Sequence, residues 1–325
     1  MTPTAPALPE RTRILLDCDP GHDDAMAIVY AARRLDLVGI TTVFGNTPLA
    51  NTTRNALAVC ELIGLDVPVA AGMAAPLVGA PASAAHIHGS TGLDGAVLPE
   101  PRRAPLAQHA VPFLIEQARA APGELTLVAV GPLTNVAVAL RTEPRLAGWL
   151  REIVLMGGST DVGNITPQAE FNIHCDPEAA SVVFAGGAPV RMVGLNVTRQ
   201  AGIAQAHVDR LAAAGGRVGR AFAGLLGFYL ARTRAVYRRD TAAMHDPCAL
   251  LALTDPGLLR WQDTPVHVEL ASPALRGMTA CDLRGLSDEA RGLPGLAAPI
   301  AQVAVGIDGA AAVDRVIAEL LACDR

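Results

Sequence analysis

The sequence predicts an α/β fold: an open, mostly parallel twisted sheet flanked by helices, with additional helices and strands towards the C-terminus. Three observations predict it. Short apolar runs alternate with stretches of helical spacing, the runs are close to continuously apolar, and the segments between them are long enough for right-handed crossovers. Arg13 to Asp19 is the first run and is stopped by Gly21, after which Ala25, Ile28, Val29 and Ala32 recur at helical spacing up to Arg34. Leu37 to Phe44 reads as a strand, Asn51 to Leu62 as a helix and Val67 to Ala71 as a third strand. Residues 73–105 are rich in Gly, Ala, Pro, Ser and His without a sustained period. That is too long for an ordinary connection, so the segment is a candidate active-site flap.

Alternation resumes with a helix over Leu106 to Arg119 and strands at Leu125 to Val130, Ile153 to Met156 and Val190 to Leu195. Residues 205–239 read as helical throughout and carry Phe222, Phe228, Tyr229 and Tyr237. Strands at Val266 to Leu270, Thr279 to Leu283 and Gln302 to Ile307 precede a terminal helix ending near Leu321. The pattern is Rossmann-like, without an internal repeat or linker. Residues 1–12 read as a flexible tail and 13–325 as one domain.

Hydrophobic residues make up 51% of the 325 and charged residues 18%, enough apolar material for a large core. The net charge of −5 supplies no basic face for a phosphate backbone, so nucleic acid is not an expected partner. Every basic residue is Arg, which removes any mechanism that needs a Lys nucleophile, Schiff base or P-loop ammonium. The six cysteines form no C-x-x-C pair and sit mostly in apolar runs, as buried thiols of a reducing compartment do. With no signal core and no membrane-length apolar stretch, the expected location is the cytoplasm.

Four aspartates, Asp17, Asp19, Asp23 and Asp24, fall within eight residues. Alternation along the first strand points Asp17 and Asp19 to one side and Cys18 away, while Asp23 and Asp24 open the following helix. Helix caps and the Pro20-Gly21 turn account for one or two of these, not four. Like charges so close call for raised pKa values, an opposite charge or a bound cation, and no Arg lies inside the cluster. Oxygen ligands suit Ca²⁺ or Mg²⁺; Zn²⁺ would ask for paired His or Cys, which His22 and Cys18 do not offer.

D-x-D-P-G-x-D-D at a first strand's end resembles the inosine-uridine-preferring nucleoside hydrolase family. Other segments follow in the family's order: Gly45-Asn46, the run Val130 to Asn135, Met156-Gly157-Gly158 with Gly163-Asn164, Glu170-Phe171-Asn172 and His245-Asp246-Pro247. The resemblance implies Ca²⁺-dependent hydrolysis of the N-glycosidic bond of ribonucleosides, giving ribose and a free nucleobase. It implies Asp19, Asp24, the Val130 carbonyl and Asp246 as calcium ligands, with Asp19 also the general base and Asp17 behind them. Asp23, Asn164, Glu170 and Asn172 would bind the sugar, and Asn46 would steady the water or a metal ligand. His245 would protonate the departing base, Tyr237 would belong to a helical wall over it, and His88 would line its pocket. A pyrimidine-preferring or broad specificity and a homodimer or homotetramer are further implications.

The chemistry is coherent on its own terms. Cleavage passes through an oxocarbenium-like sugar, which carboxylates beneath the ring stabilise while a cation orients hydroxyls and activates water. A haloacid dehalogenase-type phosphohydrolase also opens on D-x-D, but normally needs a downstream Lys that this chain lacks. A Ca²⁺-dependent nucleoside- or sugar-binding protein without turnover is the non-catalytic alternative.

Overall fold

A computed structural model describes residues 11–285 and 298–324, so all but the last two residues of the expected tail lie outside it. The strands are β1 (Arg13–Cys18), β2 (Asp36–Thr42), β3 (Val69–Ala71), β4 (Thr126–Ala129), β5 (Glu152–Met156) and β6 (Val190–Val193). Then come the short pair β7 (Gly202–Ile203) and β8 (Ala242–Ala243), followed by β9 (Leu259–Val268), β10 (Thr279–Cys281) and β11 (Ile300–Ile307). Nine of them form one sheet in the order β10-β9-β11-β6-β5-β4-β1-β2-β3. It is parallel from β3 through β6 to β11, and β9 and β10 close the far edge antiparallel.

The chain winds outward from β1 to β3 and then returns to lay β4 on the other side of β1. This reversal opens a crevice at the carboxyl ends of β1 and β4, where open parallel sheets bind ligands. Alternation makes the sheet two-sided: Ile14, Leu16, Val128 and Val154 enter one core, and Leu15, Leu127, Ile153 and Leu155 the other. The helices His22–Arg34, Leu49–Ile63, Pro247–Thr254 and Gly309–Ala322 contribute to the first core, and Ala110–Ala120, Thr134–Thr142 and Pro177–Phe184 to the second. Both faces are covered, which is why the strands read as continuous apolar runs.

Three expectations need adjustment. Residues 205–239 form two helices, Gln205–Ala214 and Arg217–Tyr237, because Gly215 turns left-handed (φ 72°) and ends the first. β9 begins at Leu259, seven residues earlier than the apolar run suggested, since its first half alternates with polar residues at the sheet's antiparallel end. The segment 73–105 contains one regular helical turn, Ala85–His88, and is tied to the body. Arg232 donates to the His86 carbonyl, Asn55 to the carbonyls of Pro20 and Thr91, and Gly95 packs on the Gly224 backbone. Among the described residues no helix is long and apolar enough to cross a membrane.

Candidate active site

The first turn after β1 assembles the carboxylates. Gly21 caps the helix His22–Arg34, and Asp24, three residues on, accepts its N–H at 2.9 Å and that of Asp19 at 3.1 Å. Asn46, at the end of the β2 connection, donates its backbone N–H to Asp19 Oδ2 at 2.7 Å. Its side-chain amide reaches the Asp19 carbonyl and Asp24 Oδ2, both at 3.1 Å. Asp17 lies beneath: one oxygen accepts from Thr41 (2.6 Å) and Asn135 (2.7 Å), tying β1 to β2 and to the helix Thr134–Thr142.

Asp246 arrives from the loop before Pro247–Thr254, and oxygens of Asp23, Asp24 and Asp246 lie within 4.8 Å of one another. Asp19 stands outside that trio, turned towards the Asn46 N–H, with Oδ1 buried and unpartnered among the described residues. Burial raises all four carboxyl groups, and mutual repulsion adds to it: Asp24 raises Asp19 and Asp23, and Asp23 raises Asp246. Asp23 is pushed up to about 8 despite backbone N–H donors from His245 and Asp246, and Asp17 to about 7 by burial. An all-oxygen set with orphaned lone pairs and too much negative charge to ionise unaided fits a hard divalent cation.

Two glycines make room for Asp19. A Cβ on Gly45 would collide with Oδ2, and one on Gly131 would sit 2.6 Å from Oδ1. Gly45→Ala is therefore expected to displace the carboxylate and lower kcat/KM about 100-fold while circular dichroism reports an intact fold. Unchanged activity would show that the close approach is unimportant.

Above the carboxylates opens a cavity of about 420 Å³, of nucleoside-binding size. Asp19, Asp23, Asn46, Val130, Asp246, Asn164, Glu170, Asn172, His88, Tyr237 and His245 all line it; Asp24 and Asp17 do not. Glu170 caps the helix Phe171–Cys175, its carboxylate accepting from Asn172, Ile173 and Gly158 N–H groups, and burial holds it up at about 7. Asn172 donates to the Val130 carbonyl at 2.8 Å and the Met156 carbonyl at 3.1 Å. Asn164 Oδ1 is buried without a partner among the described residues. Its loop is folded on itself through Gly163 N–H to Pro167 O and Asn164 N–H to Ala169 O, and Arg199 donates to the carbonyls of Val162 and Gly163.

Beside the aspartate turn, against Gly21, His22 and His88 bring their Nδ1 atoms to 3.0 Å, and both rings stack with Tyr229. His22 Nε2 is 2.8 Å from the Asp94 carbonyl, which fixes the loop 89–94 to the cluster. Burial lowers His88, and burial followed by Arg199 and Arg239 lowers His245 to about 3. At neutral pH His245 thus presents an imidazole N–H rather than an imidazolium. Sequence reasoning missed Arg199, Arg239, Thr233 and Thr241 in the lining. Arg239 follows a second Arg just past a helix end, and nothing local distinguishes it from a solvated charge.

The profile of the inosine-uridine preferring nucleoside hydrolases matches residues 14–314. The pyrimidine-specific ribonucleoside hydrolase RihB of Escherichia coli K12 is 43% identical over 279 residues, 85% of this chain and 89% of that protein. Among solved structures, a plant nucleoside hydrolase superposes with a TM-score of 0.88 at 32% identity, covering 96% of this chain and 99% of its own. A purine-preferring ribonucleoside hydrolase from Gardnerella vaginalis gives 0.88 at 31% identity, with the same coverage. The strand-end aspartates, the cavity above them and these likenesses agree: the chain belongs to the inosine-uridine preferring nucleoside hydrolase family.

Proposed function

We propose that this nucleoside hydrolase prefers pyrimidine ribonucleosides and works with a calcium ion held by Asp24, Asp246, Asp19 and the carbonyl of Val130. The observation that carries the reading is the buried carboxylate group in a cavity that His88, His245, Tyr229 and Tyr237 also line. The same cavity offers carboxylates to a ribose and flat, weakly polar rings to a base. The 43% identity to a pyrimidine-specific relative, against 31% to a purine-preferring structure, supports the pyrimidine preference. Six free thiols support the cytoplasm as location, and the domain is taken as residues 13–325, assembled as a homodimer or homotetramer.

Bound calcium would orient the ribose hydroxyls and the attacking water and lower that water's pKa. Asp19, which lines the cavity, takes the water's proton. Asp23 accepts the ribose 2′-hydroxyl and, with Asp19, faces the positive charge that builds on the sugar. Asn164, Glu170 and Asn172 bind the remaining hydroxyls, and Asn46 fixes Asp19 and Asp24. His245 stabilises the departing base through Nε2–H, with Tyr237 closing the wall above and His88 beside it.

A spectrophotometric panel of uridine, cytidine, inosine, adenosine and guanosine, with and without chelator, tests the reading. Calcium-dependent release of base is expected with kcat/KM for uridine or cytidine at least about tenfold above the purines. Purine nucleosides as the better substrates would overturn the preference, and binding without base release would favour the non-catalytic alternative.

A further inference from the structure

Thr198 has no place in the reaction as derived so far, yet among the described residues it makes the one hydrogen bond to the ring of His245. Its Oγ1 lies 2.7 Å from His245 Nδ1. The residue is fully buried at the end of the short helix Leu195–Thr198, which follows β6 at the sheet's carboxyl edge. Its backbone is held at both ends: Thr198 N–H donates to Gly194 O and Ala201 N–H to Thr198 O, each at 3.1 Å. Just beyond, β7 and β8 pair Gly202 with Ala243 and Ile203 with Ala242, and Met244 N–H donates to Ala201 O at 2.8 Å. A two-stranded clamp thus brings the stretch after Thr198 against the stretch before His245.

The hydrogen-bond accounting then decides the tautomer. A buried hydroxyl must place its proton on an acceptor, and among the described residues Nδ1 of His245 is the one partner of Oγ1. With Thr198 donating, Nδ1 is the acceptor and the neutral ring carries its hydrogen on Nε2. Nε2 has no protein partner among the described residues, and the ring lines the cavity. We infer that Thr198 is a positioning residue that holds His245 in the Nε2–H form and in the ring orientation that aims this N–H at the departing base. This rests on the reading above that His245 assists the leaving group. No proton needs to be transferred in this step: the hydrogen bond from Nε2–H strengthens as the glycosidic electron pair moves onto the base, which departs as an anion and takes its proton from solvent.

The test separates leaving-group assistance from support of the fold. Thr198→Val keeps the shape and removes the hydroxyl, Thr198→Ser keeps the hydroxyl, and His245→Gln removes the assisting group. Each is assayed with uridine and with 4-nitrophenyl β-ribofuranoside, whose phenolate departs without help. Thr198→Val is expected to lower kcat for uridine about 10- to 100-fold with KM little changed, and kcat for the aryl riboside less than about threefold. Thr198→Ser should recover most of the uridine rate. Equal losses on both substrates would make Thr198 a structural residue only and overturn the inference, as would a Thr198→Val enzyme that turns over uridine normally. If His245→Gln shows the uridine-selective loss and Thr198→Val does not, the inference fails and the role of His245 stands. If His245→Gln cleaves uridine at the wild-type rate, that role fails and the inference with it.

Discussion

Asp19→Asn is expected to reduce kcat for uridine by at least about 10³-fold, the largest loss from any single substitution in this site. The amide is nearly isosteric, so the space cleared by Gly45 and Gly131 remains filled and the Asn46 N–H keeps an oxygen acceptor. The capacity to take a proton and one anionic ligand for the cation are what disappear. Because Asp19 Oδ1 is buried and otherwise unpartnered among the described residues, no described neighbour compensates. Steady-state release of uracil at saturating calcium measures the effect. A variant within tenfold of wild type would remove Asp19 as the base.

The second large effect couples cation, pH and stability. In the ion-free protein Asp23 titrates near 8 and Asp17 and Glu170 near 7, whereas in the unfolded chain such groups lose their protons near 4. Between about pH 4 and pH 8 these carboxyl groups therefore bind more protons folded than unfolded, and their contribution to stability falls as pH rises through that window. The buried histidines, lowered by burial, oppose them below about pH 6.5 and leave the fall to dominate above it. A divalent cation takes over from the protons, so its stabilising effect should grow as they leave. Protein stripped on a chelating resin should melt at a lower temperature at pH 8 than at pH 5. Calcium at about 100 times its Kd should add about 2.7 kcal/mol at pH 8, or roughly 5 °C for a chain of this size, and distinctly less at pH 5. Scanning calorimetry decides it. A calcium-dependent rise equal at both pH values, or larger at pH 5, would sink the argument.

The sheet and the aspartate group were legible because both are local signals. Alternation in Ile14 to Cys18 and the D-x-D-P-G-x-D-D turn are properties of a dozen contiguous residues. Asp246 could be read only through its family motif, since nothing in residues 245–247 alone announces a partner more than 200 residues away. The limits are physical too. Glu170 and Asn172 read as polar loop residues, but the fold uses one as a helix cap and the other as a donor to the Val130 carbonyl. The His22–His88 contact depends on where residues 73–105 dock, which periodicity does not encode. Thr198 looked like any threonine after a strand, because its importance lies wholly in the ring it meets. The break at Gly215-Gly216 is a local signal, a glycine pair inside a stretch of otherwise helical spacing.

The loop around Asn164 has a further consequence. Its own backbone bonds and the Arg199 clip fix it while the chain folds, so a substrate meets a wall that is already ordered. The conformational entropy of ordering that wall is then charged to folding, where a core of this size absorbs it, and not to association. Affinity for the sugar can be modest in contacts and still adequate. The binding energy left over is free to act in the transition state, where it raises turnover instead of merely holding the substrate.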